Sequence, residues 1–161
     1  METTREKSKE ESHKHLVNNL QELLEKNYDA EKGFKKALED SDSHGLKEFL
    51  KMQAVQRNRF ATELDKEIRD LNEEPKENGS AAGSLHRAWI DIKTAFTGKD
   101  DEAVLEECIR GEKASVEEYE EKLEKNNFPP KITQVLDRQL QEIRTTLTEV
   151  RSLEDLADRF N

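Results

Sequence analysis

Residues 16–40 read LVNNLQELLEKNYDAEKGFKKALED, and their spacing predicts one long amphipathic helix. Side chains recur every three or four residues, the period that places them on one face of an α-helix. This stripe consists of Leu20, Leu24, Asn27, Glu31, Phe34 and Leu38. It is apolar at both ends and polar at its centre. The stretch therefore predicts a helix that packs inside a bundle whose middle layer is polar.

Three further long helices are predicted from the same periodicity. They cover residues 45–72, 101–126 and 131–156, and the first helix covers 16–40. Each again carries polar residues near the middle of its stripe: Gln53 and Gln56, then Glu112, then Gln139. All four helices thus bring polar side chains to one central layer.

The connections between these helices indicate the topology. Short turns, residues 41–44 and 127–130, join the first helix to the second and the third to the fourth. Residues 73–100 join the second to the third, and a short amphipathic helix carrying Trp89 is predicted there over 81–96. Two helical hairpins joined by one long crossover form the ferritin-like arrangement. An alternative places the short helix across one end as a cap.

The predicted fold class is therefore all-α, a ferritin-like four-helix bundle with a short fifth helix in the long crossover. Residues 1–14 are almost wholly polar and are predicted to form a mobile charged tail. Residues 15–161 are predicted to form a single domain, the size expected for a chain of this length.

Composition restricts the partners and the compartment. Of the 161 residues, 40% are charged, and the formal net charge is −10. Such a charge repels phosphate backbones and anionic lipid surfaces, so neither nucleic acid nor a membrane is an expected partner. The single cysteine, Cys108, excludes an internal disulfide and suits a reducing compartment. With no apolar run of spanning length and no signal-peptide core, a cytoplasmic location is predicted.

The polar centre is the one feature that resembles a metal site. Di-iron bundles take one Glu from each of two helices and a Glu-x-x-His pair from each of the other two. Glu31 and Glu112 match the single glutamates, and Glu142 is a third candidate ligand, but the paired motifs contain no His. Iron, manganese or zinc at these carboxylates is one reading. The favoured reading is a structural polar core of Asn27, Gln53, Gln56 and Gln139, with no cofactor.

Three segments carry a family resemblance: Glu31-Lys32-Gly33-Phe34, Leu85-His86-Arg87-Ala88-Trp89, and residues 105–112, Leu-Glu-Glu-Cys-Ile-Arg-Gly-Glu. They resemble a bacterial domain-of-unknown-function family of ferritin-like four-helix-bundle proteins. The resemblance extends over residues 16–153. It implies the ferritin-like fold, a bacterial cytoplasmic protein and an association with stress. It implies no established activity.

Three functional hypotheses follow. The leading one is a non-catalytic bundle that acts through its surface or by assembly, because no nucleophile arrangement or complete metal-ligand set is evident. The second is a degenerate metal-binding bundle that uses Glu31 and Glu112. The third is a protein-interaction module whose contact surface is the crossover helix with Trp89. A homodimer is compatible with all three, although the sequence does not show which face would pair.

Overall fold

The computed structural model describes residues 3–76 and 100–160, and these ranges form five α-helices. The helices are α1 (Thr4–Glu39), α2 (His44–Asp70), α3 (Asp101–Lys125), α4 (Pro130–Glu149) and α5 (Leu153–Phe160). The first four pack as a bundle in which α1 contacts α2 and α3, and α4 contacts α3 and α2. The all-α prediction is thus confirmed. The crossover helix predicted over 81–96, with Trp89, lies outside the described residues.

Helix α1 begins twelve residues before its predicted start at Leu16. The N–H of Glu6 donates to the Thr3 hydroxyl oxygen (3.1 Å), and the N–H of Thr3 donates to the Glu6 carboxylate (3.0 Å). This reciprocal capping box satisfies N–H groups that a helix start otherwise leaves without acceptors. Residues 4–14, predicted as a tail, are therefore the exposed first turns of α1.

The start of α3 is fixed beside the start of α2. The Asp101 carboxylate accepts hydrogen bonds from the backbone N–H groups of Asp42 (3.0 Å) and Ser43 (2.7 Å). Ser43 in turn caps α2, since its hydroxyl accepts from the N–H of Leu46. Because α2 and α3 start at the same end, they run parallel. The path of the chain between them, where the crossover is predicted, includes residues 77–99, which lie outside the described residues.

The core has two apolar clusters, one toward each end of the bundle. One is built around Phe34, Leu46, Phe49, Leu50, Leu105 and Cys108, and the other around Leu20, Leu24, Phe60, Leu64, Leu136 and Ile143. Burial of such side chains contributes about 1.5–3 kcal/mol each relative to exposure, so these clusters supply most of the driving force for folding. The polar layer between them holds the candidate site.

The fourth predicted helix, 131–156, is in fact two helices. Helix α4 ends at Glu149, and Val150 adopts an extended conformation. The N–H of Asp155 then donates to the Ser152 hydroxyl (3.3 Å), and the Asp155 carboxylate accepts from the N–H of Arg151 (2.9 Å). These contacts start α5, as Ser followed three residues later by an acid often starts a helix. Leu156 is thereby buried over Gly45.

No helix among the described residues combines the length and the hydropathy needed to cross a membrane.

Candidate functional site

A buried ion pair lies at the centre of the bundle. Arg57 projects from α2 into the core and Glu112 projects from α3, and each side chain is 1% exposed. The Arg57 Nη2 atom donates to the Glu112 Oε1 atom at 2.5 Å. Buried charges are very costly unless they are paired and hydrogen-bonded. Each of these two side chains therefore needs the other to compensate its buried charge.

The ion pair continues into a hydrogen-bonded chain. Arg57 Nη1 donates to Asn27 Oδ1 (3.1 Å), and Asn27 Nδ2 donates to the Tyr119 hydroxyl oxygen (2.9 Å). That hydroxyl donates to Gln139 Oε1 at 2.7 Å. We call Arg57, Glu112, Asn27, Tyr119 and Gln139 the polar network. It contains at least one residue from each of α1, α2, α3 and α4 and therefore crosses the whole bundle.

Gln139 links the polar network to the surface of the bundle. Its Nε2 atom donates to the Phe60 carbonyl oxygen (3.3 Å) and to the Glu63 carboxylate (3.1 Å). Arg138 also donates to Glu63, at 2.7 Å. The polar network is thus anchored at one end by the buried ion pair and at the other by a partly exposed one.

Two of the predicted polar-core residues lie beside the polar network without joining it. Gln53 is one helical turn before Arg57 on α2, and Gln56 is adjacent to Arg57 in sequence. The amide oxygens of both residues are buried and accept no hydrogen bond from the described residues. The Nε atom of Arg57 and the Oε2 atom of Glu112 are also buried without a partner there. Asn27 and Gln139, by contrast, are fully integrated.

Two ionisable core residues, Tyr119 in the polar network and Cys108 close to it, stay protonated at neutral pH. Burial raises the pKa of Tyr119 to about 12, against smaller lowering effects of Arg57 and Asn27. Burial also raises the pKa of the Cys108 thiol far above its ordinary value, and the Glu112 charge adds to the rise. A nucleophilic cysteine needs a lowered pKa and an accessible sulfur. Cys108 has neither, so it acts as a small apolar core residue.

The three glutamates predicted as metal ligands are not brought together. They are bound by three consecutive residues of α2: Arg57 binds Glu112, Asn58 binds Glu31, and Arg59 binds Glu142. Consecutive residues on an α-helix point about 100° apart. The three carboxylates therefore lie around three sides of α2.

The donor set at the bundle centre does not fit a metal. Glu112 faces a guanidinium, which repels a cation, and the predicted Glu31 and Glu142 face elsewhere. Over residues 3–76 and 100–160, no group of three or more His, Cys, Asp or Glu side chains is arranged to hold a metal ion. The positive charge beside Glu112 is supplied by the protein's own Arg57.

Sequence reasoning missed Arg57, the central residue of the site. The polar residues predicted at the centre of this helix were Gln53 and Gln56. Yet Arg57 follows Gln53 by four residues and precedes Phe60 by three, the spacing of the buried stripe. Helical periodicity alone could have placed it in the core, and the absence of charged residues from most cores argued against it.

A groove between α2 and α4 is the second candidate site. Its volume is about 670 Å³, and its walls include Met52, Gln53 and Val55 from α2 and Glu142 and Thr145 from α4. Arg59 and Glu142 bridge it, with Arg59 Nη2 2.5 Å from Glu142 Oε1. The groove therefore reaches from solvent toward the two glutamine amides beside the polar network.

The chain belongs to the family described as domain of unknown function DUF2383, whose family model matches residues 15–125. The match covers most of α1 and all of α2 and α3, and it ends at the last residue of α3. It includes four of the five residues of the polar network, namely Asn27, Arg57, Glu112 and Tyr119, whereas Gln139 falls outside it. No curated protein matches the chain.

Proposed function

We propose that this family member is a non-catalytic helical bundle that acts through its surface. In its core, an arginine side chain rather than a metal ion balances the charge of Glu112. The observation that carries this proposal is the Arg57–Glu112 contact at 2.5 Å, with both side chains 1% exposed. A guanidinium supplies the positive charge that a buried carboxylate needs. The guanidinium also occupies the position beside Glu112 and repels any other cation there.

The chemistry of the other core groups supports the same proposal. The Tyr119 hydroxyl and the Cys108 thiol are both protonated at neutral pH, since burial raises the pKa of each. Neither offers an anionic nucleophile. The polar network instead resembles a core that sets the register of the helices. If one helix slid or rotated, its hydrogen bonds to the others would break.

The setting we propose is that of a ferritin-like bundle in the bacterial cytoplasm, associated with stress. The parallel arrangement of α2 and α3 supports the ferritin-like part, because that topology needs a crossover along the bundle. A single buried cysteine supports a reducing compartment. The net charge of −10 supports protein partners over nucleic acid or anionic membranes.

Iron oxidation kinetics test the non-catalytic claim. The full chain is mixed with Fe²⁺ in aerobic buffer, and oxygen consumption is compared with that of buffer alone. We expect equal rates, because the described residues provide no assembled ligand set for iron. Oxygen consumption that saturates with Fe²⁺ and scales with protein concentration would overturn the proposal.

A further inference from the structure

The groove between α2 and α4 differs from the rest of the described surface in its apolar exposure. Met52 is 45% exposed and Val55 is 69% exposed. They are the two exposed large hydrophobic residues among residues 3–76 and 100–160. Three residues apart on α2, they lie on the same helical face and both line the groove. In a chain with 40% charged residues, this pair gives the groove an exposed apolar wall.

The floor of the groove carries hydrogen-bond acceptors without donors. Gln53 is 6% exposed, and its amide oxygen has no partner among the described residues. The amide oxygen of Gln56, a groove-lining residue one turn further along α2, has none either. A buried polar atom without a hydrogen bond costs about 1–3 kcal/mol. An occupant that donates to these oxygens would recover part of that cost.

The rim of the groove is richer in cations than in acids. Lys51, Arg59, Arg138 and Arg159 line it, against the two acids Glu142 and Glu149. The four cations are also paired with glutamates of the chain, but their side chains are 44–57% exposed. Exposed ion pairs contribute only about 0–1 kcal/mol, so they can be exchanged for pairs with an incoming carboxylate. The rim thus favours acidic residues on an occupant.

We propose that this groove binds an amphipathic helical segment of a partner protein. Its apolar residues, three or four apart, contact Met52 and Val55, and a donor side chain between them reaches Gln53 and Gln56. Acidic residues on its flanks pair with the basic rim. Two parallel ridges of helical side chains form a groove of the kind that receives a helix. The inference deepens the proposed function, since it rests on the claim that the bundle acts through its surface.

Peptide selection provides the test. A displayed library of 16-residue amphipathic peptides is selected against the full chain, and dissociation constants of the enriched peptides are measured by fluorescence anisotropy. We expect enrichment of peptides with acidic residues flanking the apolar positions. The double variant Met52→Ser/Val55→Ser should bind them at least about tenfold more weakly, the scale of losing a central apolar contact. Arg138→Gln should weaken binding by a few-fold, less at high salt.

Lys113→Gln serves as the matched control, because it removes one exposed charge on α3, away from the groove. Its binding should equal that of the wild type. The proposal is overturned if no peptide is enriched, or if the enriched peptides bind the serine variant as tightly as the wild type. It is also overturned if the wild type is a dimer in sedimentation and the serine variant a monomer, since the occupant is then a second copy. None of these outcomes affects the iron oxidation test.

Discussion

At the scale of single residues, the central question is which positive charge neutralises the buried carboxylate of Glu112. Glu112 lies at the centre of the bundle, and its nearest cation is Arg57. A paired charge in a core is not by itself a source of stability, because desolvation of both groups offsets their attraction. Removing one partner is different, since it leaves the other charge buried without compensation.

A double-mutant cycle on this ion pair follows from that asymmetry. Arg57→Met should lower the free energy of unfolding by about 3–5 kcal/mol, because Glu112 is then buried alone. Adding Glu112→Leu should restore most of the loss, since an apolar pair of similar volume replaces the ionic pair. Urea denaturation of the two single variants, the double variant and the wild type measures the cycle. Additive losses would contradict the pairing.

Tyr119 gives the bundle a predictable response to alkaline pH. Its pKa is raised to about 12 in the folded chain, whereas an unfolded tyrosine titrates near pH 10. Between these values the unfolded chain has lost the proton and the folded chain retains it, so stability falls as pH rises. The expected loss is roughly 2–3 kcal/mol in total.

Tyr119→Phe should remove this dependence, although its stability at neutral pH should be lower because Gln139 and Asn27 lose a hydrogen-bond partner. Both proteins are best compared in a Cys108→Ala background, since the buried thiol titrates in the same direction. Denaturation at pH 8 to 12 measures the slopes. Equal slopes with and without the tyrosine would contradict the burial of its hydroxyl.

Helical periodicity was sufficient to predict some site residues but not the bonds between them. Asn27 and Gln139 lie on the predicted stripes, and both are in the polar network. Arg57 was missed because an arginine in a core is an exception, explained only by the carboxylate on another helix. Glu31 was placed at the centre because it shares the stripe of Asn27, yet its carboxylate turns to Asn58 at the edge. Sequence spacing predicts which face of a helix a residue lies on. It does not predict where a carboxylate several bonds from the backbone points.

At the scale of elements, the predicted helix starts are correct where a capping side chain lies next to the apolar pattern. Ser43 and Asp100 cap α2 and α3, and both helices start within a residue of their predicted positions. Apolar periodicity does not reveal the caps at Thr3 and Ser152, because the pattern is absent around Thr3 and continues without interruption across Ser152 from Val150 to Leu156. The true start of α1 and the break before α5 were missed for that reason. Helix ends depend on a few hydrogen bonds, which periodicity does not report.

Gly45 tests how α5 docks on the bundle. A Cβ atom at this position would lie 3.1 Å from the Leu156 carbonyl oxygen, so α5 would have to move by a few tenths of an ångström. Gly45→Ala should therefore speed amide hydrogen exchange in α5. The global free energy of unfolding should change by less than about 1 kcal/mol, because alanine favours the helix that glycine disfavours. Ser43→Gly, which changes the neighbouring cap, is a control for effects confined to α2.

Unchanged exchange in α5 of Gly45→Ala would show that Leu156 does not rest on Gly45. Faster exchange throughout α2 would also contradict the expectation, because the added methyl group meets α5 and not the rest of its own helix.

At the scale of the whole molecule, the bundle consists of a polar layer between two apolar clusters. The sequence predicted this arrangement, because each long helix is apolar at its ends and polar at its centre. The adjacent starts of α2 and α3 were also predictable, since a long connection joins these two helices in the sequence. What the pattern did not reveal is the charge of the layer: a bound cation and an arginine both satisfy a central glutamate, and only the side-chain geometry distinguishes them.

The metal content of the full chain tests the central claim most directly. The protein is purified without chelator or affinity metal, and elemental analysis measures iron, manganese and zinc before and after incubation with each ion. With Arg57 as the cation that balances Glu112, the account predicts no stoichiometric metal in either case. About one metal ion per chain, lost in a folded Glu112→Gln variant, would contradict it.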